Sequence, residues 1–266
     1  MTPRTRKRPA RRRKTNSHAA GHFPAPPGLS YMPHQVEGIE FLMQHQNAFI
    51  ADDIGLEKQT QVFGLINADP SIGAVLVICP AYEVERWERE AQKWLVRPTL
   101  AQRIASKSDP VNPHAKLVLC ASEKLIANNR SGVSDVYNEL AARRWGLIVV
   151  GSAESYRGIG TKQARAIFGD GDNLGLIHRA QRRVFVGSPV MIGSNAVDLW
   201  NIVHALAPRE FPDFNAFGRR YGFENKGRFG SKYVGARNLD ELYGIMRGLF
   251  LLKRTRSDVM RRLEGE

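Results

Sequence analysis

The sequence is short of cysteine and contains no long apolar run. Its two cysteines, Cys79 and Cys120, both lie in apolar stretches that are typical of buried strands. So few cysteines exclude a disulfide framework and favour a reduced, intracellular compartment. A membrane span needs about 18 apolar residues in a row, and no run approaches that length. The first residues lack the apolar segment of a secretory signal, so we expect an intracellular protein without a membrane partner.

Acidic residues are absent from the beginning of the chain, where the first one is Glu37. The formal net charge is +13, and residues 1–14 carry eight basic side chains, which leaves 13 − 8 = +5 for the rest. Residues 1–28 mix Arg and Lys with Pro, Ser, Thr and Gly, which predicts a disordered basic arm. We expect this arm to bind nucleic acid through counterion release; the alternative is a solvated tail of no specific role. The predicted contacts are Arg4, Arg6, Lys7, Arg8, Arg11, Arg12, Arg13 and Lys14.

A phosphate-binding loop is indicated between residues 48 and 62, but two of its usual residues are missing. An apolar run leads into a turn at Gly55, and Lys58 opens a potential helix. This order is typical of a strand, a phosphate-cradling loop and a helix whose N-terminus faces an anion. Such a loop needs glycine just before the lysine and Ser or Thr just after it, for Mg²⁺. Glu57 and Gln59 occupy these two places, and the Glu57 carboxylate would repel a polyphosphate.

Apolar runs alternate with helical patterns through the rest of the chain. This alternation predicts an α/β fold in which a parallel sheet is covered by helices on both faces. The predicted strands are 74–79, 116–120, 145–150 and 183–186, and the predicted helices are 84–95, one that closes at 140–144, and 197–206. Ligands of such sheets bind at the carboxyl ends of the strands. The predicted site therefore lies in the loops after Ile50, Cys79, Val150 and Val186.

Six segments carry motif-like sequences along the chain: residues 31–35, 51–61, 77–87, 147–154, 182–189 and 251–259. Their order and spacing resemble those of the motifs of Snf-type superfamily-two helicase ATPases. The segment 253–259, which contains Arg254, resembles the family's "RR-x-K-x-D-V" sequence, and residues 214–223 resemble its "F…RY" element. The chain is most similar to the annealing-helicase-like and the bacterial or phage members, over about residues 29–263. The resemblance implies a RecA-like P-loop fold and the first ATPase lobe of a DNA translocase.

The resemblance also implies roles for individual residues. Gln35, whose amide can donate to and accept from one adenine edge, would read adenine; the alternative is a surface glutamine at a helix start. Lys58 would hold the β and γ phosphates. Asp52 could belong to a metal or acid–base pair, but a structural role in capping the loop is favoured. ATP and Mg²⁺ are the cofactors that the family uses. The predicted nucleotide-binding residues are Gln35, Asp52, Gly55, Lys58 and Gln59.

The catalytic acids of the family are missing. Its D-E-A-H box should follow the strand 145–150, where the first acid holds Mg²⁺ and the second orients the attacking water. Gly151 and Ser152 stand in these places, and Glu154 offers a carboxylate displaced along the loop. Ile192 also replaces an expected asparagine. Because the strands and helices keep clear patterns while the loops are altered, we predict a pseudoenzyme or a sequence changed at its sites.

Three parts are predicted along the chain. Residues 1–28 form the basic arm, residues 29–208 form the RecA-like lobe, and residues 209–266 form a helical extension. The extension leads towards a second lobe that would lie on another chain or in a longer parent protein. It contains a basic, glycine-rich loop, which is either a solvated insertion or a DNA contact with stacking aromatics; its candidate contacts are Arg228 and Lys232.

Two functions remain open on this basis. The first is the lobe of a DNA-dependent ATPase and translocase with impaired chemistry. The second is a non-catalytic nucleic-acid-binding or scaffold module on the same fold. The seven histidines show no metal-ligand spacing with Cys or acids, so no metal site is predicted among them. The expected location is the cytoplasm of a bacterium or phage-infected cell, or the nucleus.

Overall fold

One parallel sheet positions every other element of the protein. The computed structural model describes residues 23–128, 132–157, 160–170, 173–188, 195–227 and 230–264. The strands are β1 (Asn47–Ile50), β2 (Val75–Cys79), β3 (Ala101–Arg103), β4 (Leu117–Ala121), β5 (Trp145–Val150), β6 (Gly169–Asp170), β7 (Asn173–Leu174), β8 (Ala180–Val186), β9 (Phe223–Gly227), β10 (Gly230–Val234) and β11 (Leu251–Leu252). The helices are α1 (Pro33–Gln44), α2 (Lys58–Ala68), α3 (Ala81–Trp94), α4 (Asp135–Ala142), α5 (Lys162–Phe168), α6 (Trp200–Leu206), α7 (Phe214–Tyr221), α8 (Leu239–Leu249) and α9 (Arg256–Glu264).

Seven strands form the main sheet in the order β11-β1-β8-β5-β2-β4-β3. Every neighbouring pair in it is parallel. A parallel sheet needs apolar residues on both faces because helices cover both, and β2 and β4 are accordingly buried along their whole length. Two apolar cores result, one on each side of the sheet. The predicted α/β fold is confirmed.

The two cysteines lie on opposite faces of this sheet. Cys79 belongs to one core and Cys120 to the other, and both thiols are free. Burial raises the pKa of Cys79 and raises the pKa of Cys120 to about 12. Both thiols therefore stay protonated at neutral pH and act as small apolar side chains.

Several element boundaries differ from the prediction for local reasons. Strand β5 matches residues 145–150, whereas β8 begins at Ala180, three residues before the predicted start. Helix α3 begins at Ala81, directly after the N-cap residue Pro80 and three residues before the predicted start. The predicted helix 197–206 is divided into a 3₁₀ turn at 196–199 and α6.

Helices α1 and α2 cross at very short range beside β1. Pro33 occupies the first turn of α1, as predicted. A Cβ at Gly38 of α1 would lie 1.7 Å from Oε1 of Gln61 on α2. The missing side chain at Gly38 leaves the space that Gln61 occupies, so that α1 packs closely on the first turn of α2.

The C-terminal part of the chain shares the main sheet. Strand β11 pairs with β1, with Phe49 opposite Leu251 and Ile50 opposite Leu252. The described residues that follow position 208 thus contain strands as well as helices, and β11 joins them to the main sheet. The predicted glycine-rich loop is an antiparallel hairpin of β9 and β10. No helix within the described segments is both long and apolar enough to cross a bilayer.

Candidate nucleotide-binding site

The loops that follow β1, β2, β5 and β8 meet at the carboxyl edge of the sheet. These strands are neighbours and all run the same way, so their following loops must emerge together. The backbone N–H of Gly187 donates to the carbonyl of Ile50 across 3.0 Å. The Oγ of Ser152 donates to Oε1 of Glu83 across 2.7 Å. The structure thus brings together the four loops that the sequence predicted.

The loop before α2 has an unusual backbone at Glu57. This residue has φ 46° and ψ 57°, the left-handed region. A side chain costs about 1–2 kcal/mol there relative to the right-handed region, and glycine avoids that cost. The loop therefore retains the backbone of a glycine at the place where the family has one, but carries a glutamate. Gly55 is also left-handed, with φ 91°.

Lys58 is engaged by its own loop. Its Nζ donates to the carbonyl oxygens of Asp52 at 2.9 Å and of Asp53 at 3.2 Å. Burial lowers the pKa of the ammonium group, while the carboxylates of Asp52 and Glu154 act in the opposite direction. A phosphate at this place would have to compete with two backbone carbonyls for the lysine.

Gln35 has both ends of its amide occupied. Its Oε1 accepts from the backbone N–H of Met32 at 2.9 Å, and its Nε2 donates to Oε2 of Glu57 at 3.1 Å. Only 1% of the residue is exposed. Adenine recognition by this side chain would have to use the second N–H of Nε2 and the second lone pair of Oε1.

Asp52, predicted either to contact the nucleotide or to support the loop, lies in a buried ion pair with Arg254. It has no exposed surface, and Oδ1 accepts from both N and Nε of Arg254, at 3.0 and 3.1 Å. Oδ2 accepts from Nη2 of Arg254 and, at 3.0 Å, from Nε2 of Gln61. Because both of its carboxylate oxygens are bound by protein side chains, Asp52 holds the loop after β1 in place.

Arg254 is the residue that connects the site to the C-terminal segment. It is 6% exposed, and it also donates to the carbonyl of His34, to Gln61 Oε1 and to Glu37. Burial and the Arg254 charge lower the pKa of His34. The motif resemblance singled out Arg254 but not its partners, because they lie about 200 residues away in sequence.

Gln59, predicted to contact nucleotide, faces the interior. It is 6% exposed, and its Oε1 is buried without a hydrogen-bond partner among the described residues. An amide at this position offers a carbonyl oxygen but no hydroxyl. The hydroxyl of Thr60, the next residue, is likewise buried and without a partner within the described part of the chain.

The space beside Gly151 is filled by other side chains. A Cβ at Gly151 would lie 2.8 Å from Trp87 Nε1, 3.0 Å from Cys79 Cβ and 3.3 Å from Glu83 Oε2. Ser152, the next residue, is left-handed with φ 46° and is held by Glu83. The acid-box position is therefore packed by side chains from α3 and the end of β2.

Glu154 reaches the loop after β8. Its Oε2 accepts from the backbone N–H of Ser188 at 3.0 Å and would lie 2.6 Å from a Cβ at Gly187. It also acts electrostatically on Lys58. This carboxylate thus lies within the candidate site, although it reaches it from a different position in the loop than the family's acids.

The predicted nucleic-acid contacts are only partly visible. Residues 4–14 of the arm and Arg228 lie outside the described residues, as does Ile192. Lys232 is exposed on β10. Tyr233, an aromatic residue of the predicted glycine-rich loop, is 7% exposed, because its ring packs over Gly218 of α7; it is therefore not available to a base.

The fold, together with the loop before α2, places this chain in the class of RecA-like ATPase cores. The SNF2-related domain model matches residues 34–265, and the chain therefore belongs to the SNF2-related domain family. The chain is 25% identical over 243 residues to the SWI/SNF-related matrix-associated actin-dependent regulator of chromatin subfamily A-like protein 1 of Xenopus tropicalis, covering 90% of this chain and 24% of that protein. It is 26% identical over 258 residues to the protein CHROMATIN REMODELING 19 of Arabidopsis thaliana, covering 87% of this chain and 31% of that protein.

Solved structures agree with this fold. The Sulfolobus solfataricus SWI2/SNF2 ATPase core in complex with dsDNA has a TM-score of 0.64 at 20% identity, covering 86% of this chain and 45% of that chain.

A third relative by sequence is the human DNA annealing helicase and endonuclease ZRANB3, which is 22% identical over 240 residues, covering 87% of this chain and 21% of that protein. This chain thus spans about a quarter of the length of the curated relatives it matches.

Proposed function

We propose that this chain is the first lobe of an SNF2-type DNA motor and that it binds DNA without turning over ATP. The proposal rests on what lies at the end of β5, where the family has its catalytic acids. Gly151 and Ser152 provide no carboxylate, and the volume that a side chain at Gly151 would need is taken by Trp87, Cys79 and Glu83. A lost acid whose space has been repacked supports an altered function more strongly than a lost acid alone.

The nucleotide loop supports the same proposal. Lys58 is bound by two carbonyls of its own loop, and Gln35 is bound by Glu57. The Glu57 carboxylate therefore occupies the adenine-reading amide and places negative charge beside the phosphate position. The residues present do not fit Mg·ATP as the family holds it, since neither a hydroxyl at position 59 nor an acid at position 151 is available.

DNA is the proposed partner for two reasons. The sequence carries eight basic residues within its first fourteen, and such a charge density attracts polyanions. A related ATPase core has been solved with dsDNA. Because the chain spans only part of its relatives, a second RecA-like lobe, on another chain or in a longer parent protein, belongs to the proposal. A location with access to DNA, bacterial cytoplasm or nucleus, follows from it.

The test measures DNA binding and phosphate release on the same preparation. Fluorescence anisotropy with labelled DNA should show binding, while DNA-stimulated phosphate release should equal that of a Lys58→Ala control. The Lys58→Ala variant removes the lysine that an active phosphate loop would use and leaves the acid-box region untouched. Release clearly above that control would refute the absence of turnover, and absence of DNA binding would refute the proposed partner.

The alternative is a non-catalytic scaffold that does not engage DNA. The buried Asp52–Arg254 ion pair is compatible with such a role, because it ties the loop after β1 to the C-terminal segment without a ligand. The same anisotropy experiment separates the two functions. A scaffold would show no DNA affinity beyond that of an unrelated protein with the same net charge.

A further inference from the structure

The positive charge of the folded lobe is concentrated in one segment. Residues 219–237 contain six basic residues and one acid, a net charge of +5. The whole chain outside the basic arm also carries +5. All other residues after the arm therefore sum to zero. The β9–β10 hairpin, residues 223–234, contributes +2 of this charge, and the rest comes from Arg219 and Arg220 on α7 and from Arg237 just after the hairpin.

The hairpin presents two different faces. Residues directly opposite each other in an antiparallel pair share a face, and successive residues alternate. Phe223 pairs with Val234, and Asn225 pairs with Lys232, so these four residues form one face, here called the outer face. The intervening Tyr233 is buried against α7 on the other side.

The outer face is apolar and exposed as well as basic. Phe223 is 52% exposed and Val234 is 44% exposed, and they lie side by side because they are directly paired. Lys232 and Asn225 are exposed next to them. An exposed apolar pair rimmed by polar side chains offers a binding surface that a flat, non-polar ligand group can cover.

Arg237 holds this face in place. Its guanidinium lies 5.4 Å from the centre of the Phe223 ring and donates to the carbonyl of Arg219 on α7. Its backbone N–H donates to the carbonyl of Tyr221 at 2.9 Å, and Asn238 Nδ2 donates to the carbonyl of Arg220 at 2.8 Å. The base of the hairpin is thus fastened to α7, so that the ring is presented from a fixed support.

We infer that the outer face of the β9–β10 hairpin binds an unpaired DNA strand. Bases pack against Phe223 and Val234, and Lys232 meets the phosphates. A duplex buries the flat faces of its bases and offers mainly phosphates and base edges, which would leave the apolar pair uncovered. An unpaired strand supplies both a π-face and a phosphate, the combination that stacking platforms use. This inference rests on the proposed DNA-binding function.

The experiment uses the full chain and compares a labelled single strand of thymidines with a duplex of the same length. Phe223→Ala should weaken single-strand binding at least about fivefold, the lower end of base–aromatic stacking. Phe223→Tyr, which keeps an aromatic ring, should restore it. Leu100→Ala is the matched control, because Leu100 is equally exposed, at 52%, but lies just before β3, an edge strand of the main sheet and not part of the hairpin.

Charge is tested separately from stacking. Lys232→Ala should lower the slope of log affinity against log salt by about 0.7, the value for one phosphate contact on a single strand. Lys116→Ala, an exposed lysine just before β4, is the control and should leave the slope unchanged. The loss caused by Phe223→Ala should persist at high salt, where the contribution of the basic arm is suppressed.

The outcomes distinguish the two proposals. If the unaltered chain binds no DNA, the proposed function fails and the hairpin inference fails with it. If the chain binds DNA but Phe223→Ala and Lys232→Ala behave like their controls, the hairpin inference alone is overturned. Equal losses on duplex and single strand would also overturn it, because a stacking face requires unpaired bases. Single-strand losses with rescue by Phe223→Tyr support it.

Discussion

Glu57 offers the sharpest test of the nucleotide loop, because its left-handed backbone and its carboxylate can be changed one at a time. Glu57→Gln removes the charge and keeps an acceptor for Gln35. Glu57→Ala removes the charge and the hydrogen bond. Glu57→Gly removes both and also accommodates the φ of 46°. Each variant differs from the previous one by a single physical contribution.

The expected stabilities follow from these contributions. The left-handed backbone costs about 1–2 kcal/mol for a residue with a side chain, and glycine gives back about 0.4–1 kcal/mol through the greater freedom of the unfolded chain. Glu57→Gly should therefore be about 1 kcal/mol more stable than Glu57→Ala. Loss of the Gln35–Glu57 bond should cost Glu57→Ala about 0.5–1 kcal/mol relative to the unaltered chain, the lower range because Glu57 is exposed.

Nucleotide affinity should change through the charge. At about 6 Å from a phosphate charge, and with an effective dielectric constant between about 20 and 80, the Glu57 carboxylate contributes about 0.7–2.8 kcal/mol of repulsion. Removing it should raise ATP affinity about 3- to 100-fold in all three variants. Glu57→Ala and Glu57→Gly should gain more than Glu57→Gln, since they also free the Gln35 amide.

Urea unfolding and titration calorimetry measure these two quantities. Equal stability of Glu57→Gly and Glu57→Ala would show that the loop is not left-handed at this residue in solution. Unchanged ATP affinity across the series would show that the Glu57 carboxylate is not what opposes the nucleotide, and the interpretation of this loop would be wrong.

Three further predictions concern the rest of the chain. Arg254→Ala should lower the free energy of unfolding in urea by about 3–5 kcal/mol, because it leaves the buried Asp52 carboxylate without its ion pair. The control is Arg256→Ala, at an exposed side chain, which should change that free energy by less than about 0.5 kcal/mol. Gly151→Ala should cost about 1–3 kcal/mol through overpacking, while Gly73→Ala, where a Cβ would meet nothing within 4 Å, should be tolerated; equal effects would refute the packing described at the end of β5. Deleting residues 1–14 should weaken DNA binding for all sequences alike and should lower the slope of log affinity against log salt concentration. An unchanged slope would show that the arm makes no phosphate contacts.

The sequence predicted the sheet and the place of the site because both depend on local pattern. Continuous apolar runs such as 145–150 indicate strands buried on two faces, and parallel strands place their following loops at one edge. The left-handed backbone at Glu57 was foreseeable in the same way, since a glycine is expected at that position in the motif. The hairpin was not, because glycines at 227, 230 and 235 favour a loop, and only the pairing of β9 with β10 shows a strand pattern.

By itself, the amino-acid order determined the α/β class, the strand–loop–helix around Lys58 and the absence of acids at Gly151 and Ser152. The tertiary structure alone decided what these residues touch. Arg254 reaches Asp52 across 202 positions, and Trp87 fills the space beside Gly151. Hydrophobic periodicity is a property of residues that are close in sequence, so it can be read locally. The partner of a buried charge depends instead on which strands the crossover connections place side by side.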